Sequence, residues 1–373
     1  MSKKRILIVG LNQLPHSYLS NMCKYLSDCF DVTIISPDEG IDTIENDLFS
    51  IVLLKASVNK YKHILAKKLY TLVRLFRIID KFRKYAKMRD FDLVYIWDQT
   101  WAFAIKLIMG RKYKFVMQMF AQGVSANRVK NYMHDKQVKF NTFFFNHIFM
   151  GTERNMMYFR IPSHKVHITG VGVEKRCKAN KSFNTMDLVY LGILTNRDVH
   201  KTISGFTRFF EEHKNDIQMS YHIIGTGSSE YVALLRQEMA DIPKDVPIHY
   251  HGRLNDLEVM SVFEKCNIGV AFNKVTSYYK HNTSTKLHEY LLSGMPVIAT
   301  GNDINKRIIN DLNGVIIESS PEGFYHGLEI MYKHLDRYDS SQIALSDHRY
   351  SLDYVAYNKI IPAFNQILDK DRS

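Results

Sequence analysis

A lysine and a glutamate three positions apart, Lys286 and Glu289, follow the hydroxyl-bearing residues Ser284 and Thr285 at the start of a helix-like stretch. A lysine ammonium can neutralise a phosphate, and a carboxylate can accept two hydrogen bonds from a vicinal diol such as that of a ribose. The free N–H groups of a helix N-terminus add partial positive charge for an anion. The same spacing also suits an ion pair without any ligand. The stretch therefore predicts either a site for a phosphorylated, hydroxyl-bearing ligand or a solvated ion pair.

Two further segments carry groups that suit phosphates. Arg197 and Lys201 lie four positions apart where a predicted strand gives way to a helix, and two such cations can hold a diphosphate. Gly225 and Gly227 follow the next strand and would let backbone N–H groups approach phosphate oxygens. Each segment has a simpler interpretation, a solvated helix start in the first case and a tight turn in the second. The third glycine of a dinucleotide fingerprint is absent, because Glu230 stands in its place.

The composition is typical of a globular chain with an anionic partner. The 373 residues suffice for two domains, with 46% hydrophobic and 24% charged residues and a formal charge of +12. This surplus favours nucleic acid, nucleotide phosphates or an anionic membrane surface as the partner. The four cysteines form no CxxC or metal-ligand pattern, so free thiols in a reducing compartment are expected. The apolar runs are too short for a signal peptide or a membrane-spanning helix.

Strand-sized apolar runs alternate with helix-sized segments through both halves of the chain, which predicts an α/β fold with parallel sheets. The runs of the first half are RILIVG (5–10), DVTIIS (31–36), FSIVLLK (49–55), FDLVYIW (91–97), KFVMQMF (114–120), HIFMGT (147–152) and KVHITG (165–170). Those of the second half are MDLVYLG (186–192), MSYHIIG (219–225), IHYHG (248–252), NIGVAF (267–272), MPVIAT (295–300) and GVIIES (314–319).

This pattern predicts two Rossmann-like domains that face each other across a cleft. The N-terminal domain should cover 1–174 and the C-terminal domain 186–349, with the polar, basic stretch 175–185 as the linker. A tail helix within 350–373 should return to the N-terminal domain. Ligands in open α/β sheets bind beyond the carboxyl ends of the strands, so the site should collect loops from both halves.

The second half, over 186–318, resembles the nucleotide-sugar domain of GT-B glycosyltransferases, and of family 4 (glycosyl transferases group 1) in particular. The matching segments occur in order: YLGIL with Arg197 and Lys201, HIIGTGSSE, YHGRL, CNIGVAF and TSTKLHEYLLSGMPVIAT. The resemblance implies that Glu289 holds the ribose of the donor and that Arg197 and Lys201 reach its diphosphate. It also implies a two-domain GT-B fold, a reaction that needs no metal, and retention of the anomeric configuration.

The acceptor side is less defined, because the first half matches the family only in architecture. His16, in the loop after the first strand, is a candidate general base if the enzyme inverts, and an ordinary loop histidine is the alternative. Asp98, at the end of a strand, could bind an acceptor hydroxyl. Gln118 stands near the place where retaining relatives often carry a histidine. In the second half, His281 replaces a glutamate that the family often has eight residues before Glu289.

The segment from 60 to 89 combines eleven lysines and arginines with one acidic residue, Asp80. Apolar residues follow helical spacing at Leu65, Leu69, Leu72, Phe76 and Ile79, and cations spread over the remaining surface at Lys67, Arg74, Arg77, Lys81 and Lys84. We predict a helix that packs one side on a core and turns a cationic side to anionic lipid. An ordinary solvated helix is the alternative. Nucleic acid is not favoured, since no recognised motif or aromatic platform accompanies the charge.

Together these features predict a glycosyltransferase that moves a sugar from a UDP- or GDP-linked donor to a saccharide or lipid-linked saccharide in bacterial surface polysaccharide synthesis. We expect it in the cytoplasm, peripheral on the inner face of the cell membrane. Three alternatives stay open. A sugar-nucleotide epimerase on the same scaffold needs carboxylates and histidines around the sugar, and a dinucleotide oxidoreductase needs a fuller glycine fingerprint. A non-catalytic basic binding protein would leave the Lys286/Glu289 pair unexplained.

Overall fold

The computed structural model describes residues 2–11, 17–38, 47–55, 64–120, 122–123, 127–274 and 285–369. Ser17, Leu54, Lys55, residues 64–72 and Arg74 are described by their backbone alone. The chain divides into two compact units: unit 1 comprises Met1–Gly172 and Leu352–Ser373, and unit 2 comprises Val173–Ser351. Three residues singled out in the sequence, His16, His281 and Ser284, lie outside the described residues.

The described strands alternate with helices along both units. In chain order the strands are β1 Lys4–Val9, β2 Phe30–Asp38, β3 Ser50–Lys55, β4 Leu93–Ile96, β5 Lys114–Met119, β6 His147–Met150, β7 Val166–Ile168, β8 Met186–Leu191, β9 Met219–Ile224, β10 Ile248–Gly252, β11 Ile268–Ala271, β12 Val297–Thr300 and β13 Gly314–Ile317. The helices are α1 Ser17–Ser27, α2 Ile64–Met88, α3 Ala102–Met109, α4 Arg128–Thr142, α5 Glu153–Phe159, α6 Lys201–His213, α7 Ser229–Ala240, α8 Asp256–Lys265, α9 Thr285–Leu292, α10 Asn305–Ile308, α11 Pro321–Lys333, α12 Ser340–Ser346, α13 Leu352–Val355 and α14 Ile361–Asp369.

The described strands of unit 1 form one parallel sheet in the order β3-β2-β1-β4-β5-β6-β7. Helices cover both faces, so the central strands are apolar on both sides. One face packs against α2, α3, α4 and α5, and the other against α1 and the C-terminal helices. Phe364 of α14 lies against the rings of Tyr95 and Phe149, with centroid distances of 5.4 and 5.1 Å. The C-terminal tail therefore belongs to the core of unit 1.

The described strands of unit 2 also form a parallel sheet, in the order β10-β9-β8-β11-β12-β13. One continuous apolar core joins the sheet to its helices. The strand order reverses between β8 and β11 here, and between β1 and β4 in unit 1. We call each such place a switch point, because loops leaving adjacent strands there part to opposite faces and open a ligand crevice. The predicted α/β class with two parallel sheets is confirmed.

The stretch 175–185 differs from a free linker, because it packs on unit 2. The backbone N–H of Arg176 donates to Ser293 Oγ at 3.0 Å, and that of Lys181 donates to Ser340 Oγ at 2.9 Å. Cys177 between them is buried. The short helices α5, α10 and α12 were not predicted, since four to seven residues hold too few turns for a helical period to emerge.

Candidate donor-binding site

Glu289 is the centre of a buried ion-pair network in unit 2. Its side chain is only 6% exposed, and its two carboxylate oxygens accept from Lys286 Nζ at 2.9 and 3.2 Å. Arg176 Nε donates to Oε2 of the same carboxylate at 2.8 Å. Lys286 and Glu289 thus bond to each other in this structure, as the ion-pair interpretation expects. Burial distinguishes them from a solvated pair, because a buried carboxylate needs compensating charge.

Arg176 is the partner of Glu289 that sequence reasoning missed. Its Nη1 also lies 3.5 Å from Asp256 Oδ1, at the start of α8. Burial works against the charged guanidinium, but Glu289 and Asp256 outweigh this effect and raise the pKa of Arg176. Arg176 stands in the basic stretch interpreted as a linker, 113 positions before Glu289 in the chain. Only the pattern of basic residues pointed to it, and that pattern does not reveal a distant carboxylate.

Helix α9 holds the Lys286/Glu289 pair at a fixed place because its other side is packed. Leu287, Tyr290 and Leu291 are fully buried. The Tyr290 hydroxyl accepts from the backbone N–H of Leu191, at the end of β8, at 2.7 Å. Gly269 of β11 makes room for the ring, since a Cβ there would lie 2.3 Å from Tyr290 Cγ. The helix is thereby anchored to both strands of the unit 2 switch point.

The loop after β8 carries Arg197 to the same switch point. Arg197 Nη1 donates to Asn273 Oδ1 at 2.6 Å, and Asn273 follows β11. The backbone N–H of Asn273 donates in turn to Thr300 Oγ1 at 2.7 Å. Asn196 and Asp198, on either side of Arg197, have φ values of 60° and 55°, a left-handed conformation that costs energy for non-glycine residues. Such strain is concentrated at functional loops, which favours a role for Arg197.

Lys201 and the two glycines have local partners. Lys201 Nζ lies 3.0 Å from Asp198 Oδ2, so this cation is paired within its own loop. Gly225 has φ +143°, and a Cβ there would lie 1.7 Å from the carbonyl oxygen of Gly192. Gly227 leaves room for Thr195 in the same way. The glycines therefore serve the close approach of the loops after β8 and β9, as the tight-turn interpretation expects. The backbone N–H of Gly225 donates to the carbonyl oxygen of Gly252 at 2.7 Å, so the prediction that it approaches a phosphate is not met in this structure.

The structure brings the sequence-predicted donor residues to one edge of the sheet but joins them in separate pairs. The loops after β9, β8 and β11 leave neighbouring strands in the same direction. Thr285, the first residue of α9, is exposed. Asn273, Asp198 and Ser293 were missed by sequence reasoning, because a short polar side chain in a loop after a strand or a helix carries no motif of its own.

The acceptor-side candidates of unit 1 are held by internal hydrogen bonds. Asp98 is buried after β4, and its Oδ1 accepts from the backbone N–H groups of Thr100 at 2.8 Å and Trp101 at 2.7 Å. The N–H of Leu11, after β1, also donates to it, and burial raises the pKa of the carboxyl. Gln118 accepts from the Tyr95 hydroxyl and donates to the carbonyl oxygen of Met119 at 3.3 Å. Neither contact set tests a role in acceptor binding, and His16 lies outside the described residues.

Within the described residues, one group of side chains has metal-ligand proximity: Glu212, His213 and Glu329, on α6 and α11. Each carboxylate already has a partner there. His213 Nε2 lies 2.5 Å from Glu329, and Tyr325 donates to Glu212 at 2.6 Å. The group lies on helices rather than at the strand ends. Among the described helices, none is both long and apolar enough to cross a membrane.

Comparison with known proteins places this geometry in a family. Residues 185–334, most of unit 2, match the family described as glycosyl transferases group 1. A comparison with curated protein sequences finds no match. Sucrose-phosphate synthase from Thermosynechococcus elongatus has a similar structure, with a TM-score of 0.70 and 11% identity over 99% of this chain and 100% of that chain.

Two other solved structures are similar over nearly the whole chain. HepE of Anabaena, in complex with UDP and glucose, has a TM-score of 0.67 and 11% identity over 97% of this chain and 100% of that chain. The lipopolysaccharide outer core galactosyltransferase WaaB has a TM-score of 0.60 and 14% identity over 98% and 99% of the two chains. At such identities the likeness establishes the fold, and the family match adds the class of enzyme. The chain therefore has the GT-B fold, and the match of residues 185–334 to the group 1 glycosyltransferases supports a glycosyltransferase enzyme.

Proposed function

We propose that unit 2 binds a nucleoside-diphosphate sugar and that the enzyme transfers its sugar to a saccharide or lipid-linked saccharide. The observation that carries the donor assignment is the buried carboxylate of Glu289 in α9. It is held by Lys286 of the same helix and by Arg176 of the stretch before β8. A buried ion pair is weak evidence for stability alone, so its presence beside the switch point calls for another role. The HepE structures with UDP and UDP-glucose support a uridine nucleotide as the donor carrier.

The two cations suit different tasks when the donor binds. Arg176 binds one oxygen of Glu289 through Nε, and its planar guanidinium fixes the orientation of the carboxylate. Lys286, three residues before Glu289 and 29% exposed, is a flexible point charge. A ribose diol would take the place of the ammonium on the carboxylate, and Lys286 would move to a phosphate. Arg197 and Lys201 would exchange Asn273 and Asp198 for the diphosphate in the same manner.

After these exchanges, the cations can stabilise the charge that develops on the leaving group. Bond cleavage at the anomeric carbon leaves negative charge on the nucleoside diphosphate, and cations placed beforehand stabilise it. Lys286, Arg197 and Lys201 are the groups we propose for this task, with Ser284, Thr285 and the N–H group of Gly227 as further contacts to the donor. The proposal includes no metal or cofactor, and we propose that the anomeric configuration is retained, as the resemblance to family 4 implies.

For the acceptor and the cellular setting, the proposal draws on residues of unit 1. Asp98, Gln118 and His16 stay predictions for the acceptor side. The exposed cations of α2, among them Arg77, Lys84 and Lys87, support contact with an anionic membrane on the cytoplasmic side. That location suits a lipid-linked acceptor in bacterial surface polysaccharide synthesis. WaaB, which acts on the lipopolysaccharide outer core, is a neighbour with that kind of acceptor.

A thermal-shift series tests the donor proposal. UDP, GDP and UDP-glucose should be compared on the wild type, on Glu289→Gln and on Glu322→Gln. Glu322 is the matched control, because its carboxylate is 61% exposed and pairs with Arg208 on the outside of unit 2. We expect a nucleotide to stabilise the wild type and Glu322→Gln equally, and Glu289→Gln at least tenfold more weakly. If no nucleotide stabilises the wild type, the donor assignment fails, and if Glu289→Gln responds fully, the ribose assignment fails.

Product analysis separates transfer from epimerisation. A transferase releases free UDP from UDP-glucose when an acceptor is present, whereas an epimerase returns a nucleotide sugar with the diphosphate still attached. Anion-exchange chromatography of the nucleotides after incubation with a membrane extract distinguishes the two. Release of UDP that depends on Glu289 supports transfer.

A further inference from the structure

Helix α4 of unit 1 turns an apolar stripe to the outside. Val129, Tyr132, Met133, Phe140 and Phe143 are 70%, 60%, 61%, 50% and 67% exposed. At about 100° per residue, they fall within a sector roughly 100° wide. Val138 is the only fully buried large apolar residue of the helix among those described, so α4 keeps its apolar side away from the core. This is the reverse of an ordinary surface helix.

The stripe continues onto α3 through tilted and edge-to-face contacts between rings. Phe103 of α3 lies 4.0 Å from Phe144 and 5.6 Å from Phe140 between ring centroids, and Phe140 and Phe144 are 5.0 Å apart. Leu107, one turn further along α3, is 67% exposed. We call this surface the aromatic face: Phe103, Leu107, Val129, Tyr132, Met133, Phe140, Phe143 and Phe144. A contiguous exposed patch of this kind marks an interaction surface.

The charge around the aromatic face has one sign. Lys136 lies within the stripe, with its ammonium 5.3 Å from the Tyr132 ring, and Arg128, Lys130 and Lys139 flank it. The single carboxylate of α4, Asp135, points elsewhere. Its Oδ1 accepts from the backbone N–H of Gly123 at 2.7 Å and its Oδ2 from the Tyr158 hydroxyl at 2.7 Å. The aromatic face is thus apolar at its centre and cationic around it.

A basic cavity adjoins the aromatic face. It measures about 490 Å³ and is lined by Lys106, Arg111, Tyr113, Lys114, Asn146 and His147. Lys106 joins the two features, since its ammonium donates to the carbonyl oxygen of Phe144, the residue whose ring lies against that of Phe103. Its Nζ also lies 5.6 and 5.0 Å from the Phe115 and Phe145 rings. Burial, and to a smaller extent the nearby Lys165, lowers the pKa of Lys106.

We propose that the aromatic face docks unit 1 on a lipid bilayer that contains anionic lipids. Phenylalanine, tyrosine and methionine suit the boundary between acyl chains and headgroups, where aromatic residues are enriched. The lysines that flank them face the phosphates of anionic lipids, and the basic cavity accepts one headgroup phosphate. Docking through the aromatic face rests on the membrane contact of the proposed function but uses a different surface from the cations of α2. The binding can be measured without donor or acceptor.

Helix α2 contributes to the same layer but not in the same way. It packs against the same side of the sheet as α3. Its described outward residues are mainly cations, with Val73, Phe76 and Met88 as exposed large apolar side chains. Cations alone give long-range attraction that salt screens, whereas buried apolar area gives attachment that salt does not remove. The aromatic face should therefore decide whether binding persists at high salt.

Vesicle co-sedimentation of the full chain tests this proposal. The probes are vesicles of phosphatidylcholine and vesicles of phosphatidylcholine mixed with phosphatidylglycerol. We expect the wild type to bind the anionic vesicles at least tenfold more tightly than the neutral ones. The double variant Phe140→Ser with Phe143→Ser should lose at least tenfold in binding, and Lys136→Gln with Lys139→Gln should lose several-fold. Leu312→Ser, which changes an exposed leucine of unit 2, is the matched control and should bind like the wild type.

Three results would overturn the proposal. One is a wild type that ignores phosphatidylglycerol, and another is a Phe140→Ser/Phe143→Ser variant that binds as tightly as the wild type. The third is light scattering that shows a dimer in the wild type and a monomer in that variant, because the face would then join two copies of the chain. The UDP thermal shift of the same variant keeps this test apart from the donor proposal. An unchanged shift shows that the fold and the donor site are intact while membrane binding is lost.

Discussion

The two switch points of the molecule are built alike but filled differently. In unit 1 the residue at this place is Asp98, whose buried carboxylate accepts from backbone N–H groups of Leu11, Thr100 and Trp101. In unit 2 it is Arg197, whose guanidinium donates to the side chain of Asn273. The first arrangement ties two loops to each other through the backbone. The second holds a cation by a side chain, which a ligand can displace by rotation about side-chain bonds.

From this difference we expect the unit 2 switch point to exchange internal partners for a ligand, and the unit 1 switch point to hold its two loops together. Removing a backbone N–H from Asp98 would disrupt the loop that leads into α3. Exchanging the partner of Arg197, Lys201 or Lys286 leaves the strands and helices of unit 2 in place. The following predictions test this contrast, beginning with the largest effect.

Gly225→Ala should have the largest effect. The new Cβ would lie 1.7 Å from the carbonyl oxygen of Gly192, so the loops after β8 and β9 could not keep their approach. We expect a loss of about 4 kcal/mol or more in the free energy of unfolding. Gly110 of unit 1 is the matched control, because it also has positive φ (+90°) but no atom within 4 Å of its Cβ position. Gly110→Ala should cost about 1–2 kcal/mol, from backbone conformation alone.

Urea denaturation of both glycine variants measures this difference. Equal losses would mean that positive φ rather than the contact between the two loops governs the Gly225 position. In that case the tight packing of the unit 2 switch point would lose its main support.

Arg176→Met should have the next largest effect. The substitution leaves the buried Glu289 with Lys286 as its described cationic partner, and breaking one side of a buried ion pair costs about 3 kcal/mol. Arg208→Met is the control, because that arginine pairs with Glu212 and Glu322 and lies over the Tyr325 ring on the surface, where solvent weakens ion pairs. It should leave the free energy of unfolding close to that of the wild type. Chemical denaturation gives both values. A loss at Arg176 no larger than that at Arg208 would show that Glu289 does not depend on the network.

Arg176 also shows what the sequence could and could not predict. The positions of the strands followed from apolar runs, and the Lys286/Glu289 pair from spacing along one helix, because both depend on neighbours in sequence. The contact of Arg176 with Glu289 depends on how the segment after residue 172 packs on α8 and α9. The outward turn of α4 was missed for a related reason. Helical spacing shows that Val129, Tyr132 and Phe140 share one side, but not whether that side meets the core.

The contribution of Asp98 to stability should depend on its capacity to accept hydrogen bonds rather than on its charge. Asp98→Ala leaves the N–H groups of Thr100 and Trp101 without their acceptor, which should cost about 1–2 kcal/mol. Asp98→Asn keeps an acceptor oxygen, so its stability should stay within about 0.5 kcal/mol of the wild type. Urea denaturation distinguishes the two. If Asp98→Asn keeps its stability but loses transferase activity, the carboxylate contacts the acceptor and the contrast between the switch points is wrong.

The smallest predicted effect concerns a second group of side chains in unit 2, away from the loops after β8. His222 of β9 and His251 of β10 share a hydrogen bond of 2.9 Å between Nδ1 and Nε2, and the ring of His249 lies 4.9 Å from that of His222. Burial, followed by the positive charges of His249 and His251, lowers the pKa of His222 to about 4. The folded state therefore binds fewer protons than the unfolded state between about pH 6.5 and pH 4. Stability contributed by neutral His222 is complete above this window and is lost as the pH falls through it.

Because His222 is about half-exposed, solvent screening reduces this contribution. We therefore expect about 1 kcal/mol of stability rather than the full free energy that the pKa shift would correspond to. His222→Gln keeps a polar side chain beside His251 and removes the titration, so it should lose less stability than the wild type between pH 7 and pH 5. Asp98 of unit 1 makes the opposite contribution, because a raised carboxyl pKa favours the folded state as the pH falls. Denaturation of the wild type, His222→Gln and Asp98→Asn at both pH values separates the two. Equal acid sensitivity of the wild type and His222→Gln would show that the histidine network does not titrate in this window.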